Sequence, residues 1–237
     1  MAQSEIARDR RFTSPYPVAD QIATFLRAVY GWMCAGLAIT AVTAMLVASS
    51  PALVTTLAGN RLFFWVLVIA QLGLVFALSA RVQTLAPSTA AFMFIVYSAL
   101  TGVTFSFILL AFTGESIATT FLVTAGMFGA LAAYGTVAKR SLQGMGQFLF
   151  MGVIGVVLAS LVNIFVRSDG LQFVISFIGV IVFTGLTAYD AQRLKAMALA
   201  MPSGKSGSYA IVGALALYLD FINLFMFLLR FTGNRRD

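Results

Sequence analysis

The chain has 237 residues, of which 60% are hydrophobic and 10% charged, with a mean hydropathy of +0.96. Soluble domains carry about 25% charged residues, so this chain cannot cover a water-facing surface. Its +7 formal charge, one cysteine (Cys34) and lack of histidine exclude an internal disulfide and remove the usual zinc or haem ligand and the usual general base. The 15 basic residues lie mostly between apolar runs and form no cluster interleaved with exposed aromatics, so no nucleic-acid partner is expected. Membrane lipid is the partner that composition implies, and no cofactor is expected.

Residues 1–27 read as a flexible basic tail, with Arg8, Arg10, Arg11 and Arg27 and the prolines Pro15 and Pro17. They lack the apolar core of a secretory signal. The uncharged runs 28–60, 62–80, 82–114, 116–138, 141–166 and 170–189 follow, then 206–229, broken only by Asp220. A spanning helix takes about 20 residues, so seven of them use roughly 140. The pattern predicts an all-α membrane protein with helices near 28–48, 62–80, 90–112, 117–137, 147–166, 171–191 and 209–230. These form a single membrane domain over 28–231 and leave a short tail at 232–237. Punctuation agrees: Ser49-Ser50-Pro51, Ala86-Pro87-Ser88, Thr113-Gly114-Glu115-Ser116 and Arg167-Ser168-Asp169-Gly170 separate successive runs.

Lys and Arg on alternate sides set orientation. Ten lie on the side of the tail (Arg8, Arg10, Arg11, Arg27, Arg81, Lys139, Arg140, Arg193, Lys195, Lys205) and five on the other (Arg61, Arg167, Arg230, Arg235, Arg236). A multi-pass protein with a cytoplasmic N-terminus is expected. The three C-terminal arginines sit on the disfavoured side, which leaves open a last segment that re-enters instead of crossing. Small residues at close spacing, such as Gly31 and Gly36, Gly126 and Ala130, and Gly152, Gly155 and Ala159, read as helix-packing positions.

Charges within hydrocarbon are costly, so each needs a reason. Asp220 falls eleven residues into the last run, about 16 Å deep at 1.5 Å per residue, so its helix must be enclosed by others. Asn223 lies one turn further on the same face. Asp190 closes the sixth run, where it can pair with Arg193 at i+3 or with Arg81, which reaches the same edge at the end of the second run. Asp190 and Asp220 differ in depth unless the sixth helix continues through "AQRLKAMALAM" with Arg193 and Lys195 reaching the interface, helped by a last span that starts nearer Gly213. Two carboxylates so juxtaposed titrate as a unit, and with a nearby guanidinium they can form a pH-responsive element. Gln71, Asn163 and Asn223 are polar residues that either line an ion path or bridge helices, Asn163 as a buried amide. Glu115 and the Lys139–Arg140 pair read as solvated.

At these residues the chain resembles the Bax inhibitor (transmembrane Bax-inhibitor-motif) family, in its bacterial branch. The resemblance is carried by "AQLGLVFALSARV" (70–82), "TGESIATTF" (113–121), "YGTVAKRSLQGMGQFLFMG" (134–152), "TGLTAYDAQRLK" (184–195) and "LYLDFINLF" (217–225), across residues 25–232. It implies seven helices, six wrapped around a central C-terminal helix, in a bacterial-type inner membrane. It also implies a pH-sensitive passive calcium leak gated by an aspartate pair, Asp190 and Asp220, with Arg81 as latch and the two aspartates as calcium contacts. Many relatives carry a carboxylate where this chain has Gln71, a departure that bears on calcium permeation.

No enzyme is expected. An intramembrane aspartyl protease needs two facing aspartates, and Tyr189-Asp190 resembles its first motif. Asp220, however, follows Leu217-Tyr218-Leu219 where Gly-x-Gly is required. A proton-coupled transporter and a membrane scaffold or stress-regulatory protein are the alternatives. Flux driven against a gradient by a pH difference marks the first. Activity that survives loss of both aspartates marks the second.

Overall fold

The computed structural model describes residues 18–202 and 204–236. Over these it contains eight helices: α1 (Val18–Ala48), α2 (Pro51–Gly59), α3 (Arg61–Ala80), α4 (Pro87–Ala111), α5 (Gly114–Val137), α6 (Gln143–Val166), α7 (Asp169–Ala200) and α8 (Ser206–Thr232). All but α2 are long and apolar enough to cross a membrane, which gives the seven spans expected. The short α2 has no buried residue and fills what reads in the sequence as a loop.

Local chemistry fixes the ends. Pro51 and Pro87 open α2 and α4, where a missing N–H costs nothing. Asn60, Thr113 and Ser168 cap α3, α5 and α7 by accepting from the amides of Phe63, Ser116 and Leu171. Arg167 ends α6 in a left-handed conformation (φ 53°), and the Asn163 side chain accepts from Ser168 N at 3.0 Å, which closes the corner.

The two largest extensions beyond the expected lengths are in α1 and α7. α1 starts at Val18, so residues 18–27 of the expected tail are its first turns; residues 1–17 lie outside the described region. The extension is held because Phe25, Val29 and Met33 form one buried stripe at four-residue spacing and Gln21 donates to Ala198 O at 3.2 Å. α7 runs 32 residues and carries on to Ala200, as the helix-friendly segment after Asp190 suggests. α8 begins at Ser206, earlier than the Gly213 start that would have helped align the two aspartates.

α8 is the most enclosed span, with 67% of its membrane-length window buried against at most 39% in any other. It packs on α1, α3, α4, α5 and α7. Its faces meet through aromatic contacts: Tyr218 with Phe94 and Tyr97, Phe221 with Phe121 and Phe128, and Phe227 stacked on Phe183. At its start Ser208 donates to Leu85 O in the α3–α4 connection. Past its end, Thr113 N donates to Asn234 O and Arg236 N to Ala111 O in the α4–α5 connection. One helix of 27 residues, about 40 Å long, thus joins opposite ends of the bundle; it crosses and does not re-enter. The outward faces carry exposed Leu62, Phe76, Leu122, Phe148 and Phe165, a surface suited to acyl chains.

Candidate functional site

Asp220 lies near the middle of α8 and is 5% exposed, the one buried charged side chain among the described residues. Its Oδ2 receives no hydrogen bond from an N–H or O–H donor among them. Asp190 of α7 lies within hydrogen-bonding reach of it. Because both are carboxyl groups, a bond between them requires one to hold a proton. The depths match because α7 continues ten residues beyond Asp190 before the chain turns into α8.

Close helix approach sets the register. A Cβ on Gly213 of α8 would strike Leu194 of α7, and one on Gly135 of α5 would strike the backbone of Ala188, two residues from Asp190. Gln192 then ties α7 to the α5–α6 connection: its amide donates to Arg140 O at 2.9 Å and its oxygen accepts from Leu142 N at 2.7 Å. Lys195 donates to Thr136 O at 3.1 Å, placing a cation at the negative end of α5. Glu115, Lys139 and Arg140 are exposed, as read from the sequence.

A cleft of about 250 Å³ opens beside the pair, between α3, α7 and α8, and is lined in part by Ser79, Val82, Asp190, Arg193, Tyr209 and Leu219. Asp190 lines it and Asp220 does not. Asp190 forms the one ion pair among the described residues, with Arg193 Nη1 at 3.9 Å. Arg81 shares the depth of Asp190, since its neighbours Ser79 and Val82 line the same cleft, but its side chain is exposed at the end of α3 and unpaired with Asp190. The local i+3 partner prevails over the cross-helix one because a single helix already brings the two charges together.

The remaining polar residues divide. Gln71 donates to Thr104 Oγ1 at 3.0 Å and bridges α3 to α4, and Asn163 donates to Gln172 Oε1 at 3.2 Å, bridging α6 to α7. Asn223 turns back on its own helix, donating to Leu219 O at 2.8 Å. No group of three or more His, Cys, Asp or Glu side chains converges among the described residues, so a metal ion at the aspartate pair would complete its shell from carbonyl, hydroxyl or water oxygens.

One polar group escapes the sequence reading. Tyr218, wholly buried, shares a 2.6 Å hydrogen bond with Thr40 Oγ1, which also reaches Gly36 O and Ser98 O at 2.9 Å each. Threonine and tyrosine carry no formal charge, so a search for misplaced charges passes over them. Tyr218 and Thr40 do, however, stand inside long apolar runs, where a hydroxyl needs a partner.

Seven apolar helices, with a carboxyl group enclosed near the middle of the last, define a polytopic helical membrane protein with an internal ionisable residue. Residues 22–237 match the family described as "Inhibitor of apoptosis-promoting Bax1". The chain is 51% identical over 218 residues to the "Inner membrane protein YbhL" of Escherichia coli strain K12, covering 91% of this chain and 93% of that one. It is 48% identical over 219 residues to an uncharacterized protein of Deinococcus radiodurans, covering 92% and 93%. It is also 38% identical over 182 residues to an uncharacterized membrane protein of Streptococcus pyogenes serotype M1, covering 77% and 79%. The chain belongs to this Bax inhibitor family.

Proposed function

We propose that this protein is a passive cation leak, with calcium as cargo, whose conductance is governed by protonation of the Asp190–Asp220 pair. The observation that carries the reading is the buried Asp220 oxygen with no donor, set against Asp190 at the edge of an open cleft. Calcium prefers ionised, hard oxygen ligands. Protonation of Asp190 removes its pull on Arg193 and loosens the cleft edge. A pair that shares one proton serves both demands in part, since it keeps one negative charge for the cation and weakens the hold on the guanidinium. Calcium flux is therefore expected to pass through a maximum with pH.

Arg193 and Arg81 are the two gate cations. Arg193 is the inner latch, bound to the carboxylate that a passing cation must contact. Arg81 is the outer one, between two residues of the cleft wall. Gln71, held to Thr104, leaves α3 without a carboxylate at that position, so the acidic path rests on α7 and α8. The basic-residue bias supports a cytoplasmic N-terminus, and the E. coli relative's name supports an inner membrane.

Reconstitution in liposomes loaded with a calcium dye, with external pH varied, tests the reading. Wild-type flux above empty vesicles, flattened against pH by Asp220→Asn, supports it. Flux equal to empty vesicles at every pH refutes it. Uptake against a calcium gradient driven by a pH difference replaces it with coupled transport.

A further inference from the structure

α1 and α5 border the same side of α8 without forming a packed interface of their own. The seam between them is a lateral groove in two stretches. One, of about 670 Å³, lies between α1 with the end of α4 on one side (Ala41, Met45, Phe105) and α5 on the other (Ile117, Ala118, Leu122), and reaches Arg236 at its end. The other, of about 570 Å³, continues past Cys34, Ala125 and Gly129 to Thr136 and Val137. Phe221 of α8 borders both stretches, and Ile222 and Phe225 floor the first. From Gly114 to Val137 the α5 wall runs about 35 Å, slightly more than the hydrocarbon thickness of a bilayer. The seam is thus an apolar slot as long as the membrane is thick.

Its charged end is specific. Among the described residues, helix alternation puts Arg61, Arg167, Arg230, Arg235 and Arg236 at that rim against the carboxylates of Glu115 and Asp169. Arg236 is held at the groove mouth by its backbone, which donates to Ala111 O, and Asn234 N donates to Ser116 Oγ. The tail is therefore tied to the α4–α5 connection, and Arg236 lies at the end of the slot where the headgroup of a lipid would sit.

We propose that the α1–α5 seam is a binding site for an anionic phospholipid, with an acyl chain along Ala118, Phe121 and Phe225 and the phosphate at Arg236. The slot is apolar along its length and cationic at its mouth, which matches one amphiphile of that charge and disfavours a net-neutral headgroup. This site is separate from the cleft at Asp190, and the proposal does not depend on any leak.

Full-length protein in mild detergent is mixed with equal amounts of phosphatidylglycerol and phosphatidylcholine, and retained lipid is counted by native mass spectrometry. Wild type is expected to retain phosphatidylglycerol over phosphatidylcholine by about fivefold for one engaged arginine. Arg236→Gln is expected to bring the ratio close to one, and Ala118→Trp, which fills the slot from an exposed position, to lower retention of both lipids. Ala41→Phe on the opposite wall serves if Ala118→Trp does not fold, as judged by tryptophan fluorescence. Equal retention of the two lipids by wild type overturns the proposal. So does a preference unchanged by Arg236→Gln, or retention unchanged by a folded groove-filling variant.

Discussion

Arg193→Gln tests the inner latch in quantitative terms. The Arg193–Asp190 pair spans 3.9 Å, and its arginine side chain is 61% exposed. Exposed pairs contribute about 0.2–1 kcal/mol, and a cation that approaches Asp190 must displace the guanidinium against that energy. Removing it raises calcium flux by about 1.4- to 5-fold where Asp190 is ionised, and leaves flux unchanged where the pair is fully protonated. The measurement is initial dye response in liposomes across pH, with Asp190→Asn as reference. The two arginines separate by salt. Arg81 acts from the rim through solvent, so any gain from Arg81→Gln disappears when ionic strength rises from about 0.01 M to 1 M, as the screening length shrinks from about 30 Å to 3 Å. The Arg193 contact pair is screened less. A fall in flux in Arg193→Gln, or an equal gain at all pH values, refutes the displacement argument.

Asp190→Asn and Asp220→Asn each remove one titrating partner and are expected to abolish the maximum in the flux–pH profile, read in the same liposomes. Tyr218→Phe keeps the ring against Phe94 and Tyr97 but loses the bond to Thr40. It is expected to cost about 0.6–1.7 kcal/mol, against about 3–5 for Tyr218→Ala, by thermal unfolding in detergent. Gly135→Val forces α5 off the Ala188 backbone and is expected to destabilise by at least the ~1–3 kcal/mol of an overpacked core, a fall of about 2–4 °C in Tm per kcal/mol.

Spans are legible in a sequence because lipid forbids charge, so seven uncharged runs mark seven helices with little interference from tertiary context. Asp220 is legible for the same reason, as the exception that demands enclosure. What escapes is whatever depends on a partner helix. The first turns of α1 carry Asp20 and Arg27 and read as a polar tail, yet Phe25 on the same turns is buried. Arg81 and Arg193 both reach the depth of Asp190, and depth alone cannot choose between them; rotation about the helix axis does. Gln192, to which the sequence assigns no role, holds three backbone groups of the α5–α6 connection.

Tyr218 and Asp220 are two residues apart, which on a helix of 100° per residue sets them about 200° apart, on nearly opposite faces. The Tyr218 face is bonded through Thr40 to α1 and reaches α4 through the Ser98 carbonyl, among rings with no ionisable carboxyl in contact. The Asp220 face meets α7, where the partner acid, its counter-cation and the cleft lie together. On the proposed reading, one helix carries a hydroxyl anchor and, half a turn away, a carboxyl contact that answers to protons. Protonation would then act on the α7–α8 seam and leave the α1–α4–α8 side fixed. Substitutions should divide accordingly, with Tyr218 variants shifting unfolding at constant flux–pH shape and Asp220 variants reshaping that profile with little loss of fold. A Tyr218→Phe protein with an altered pH profile and unchanged stability would show that the two faces are not independent.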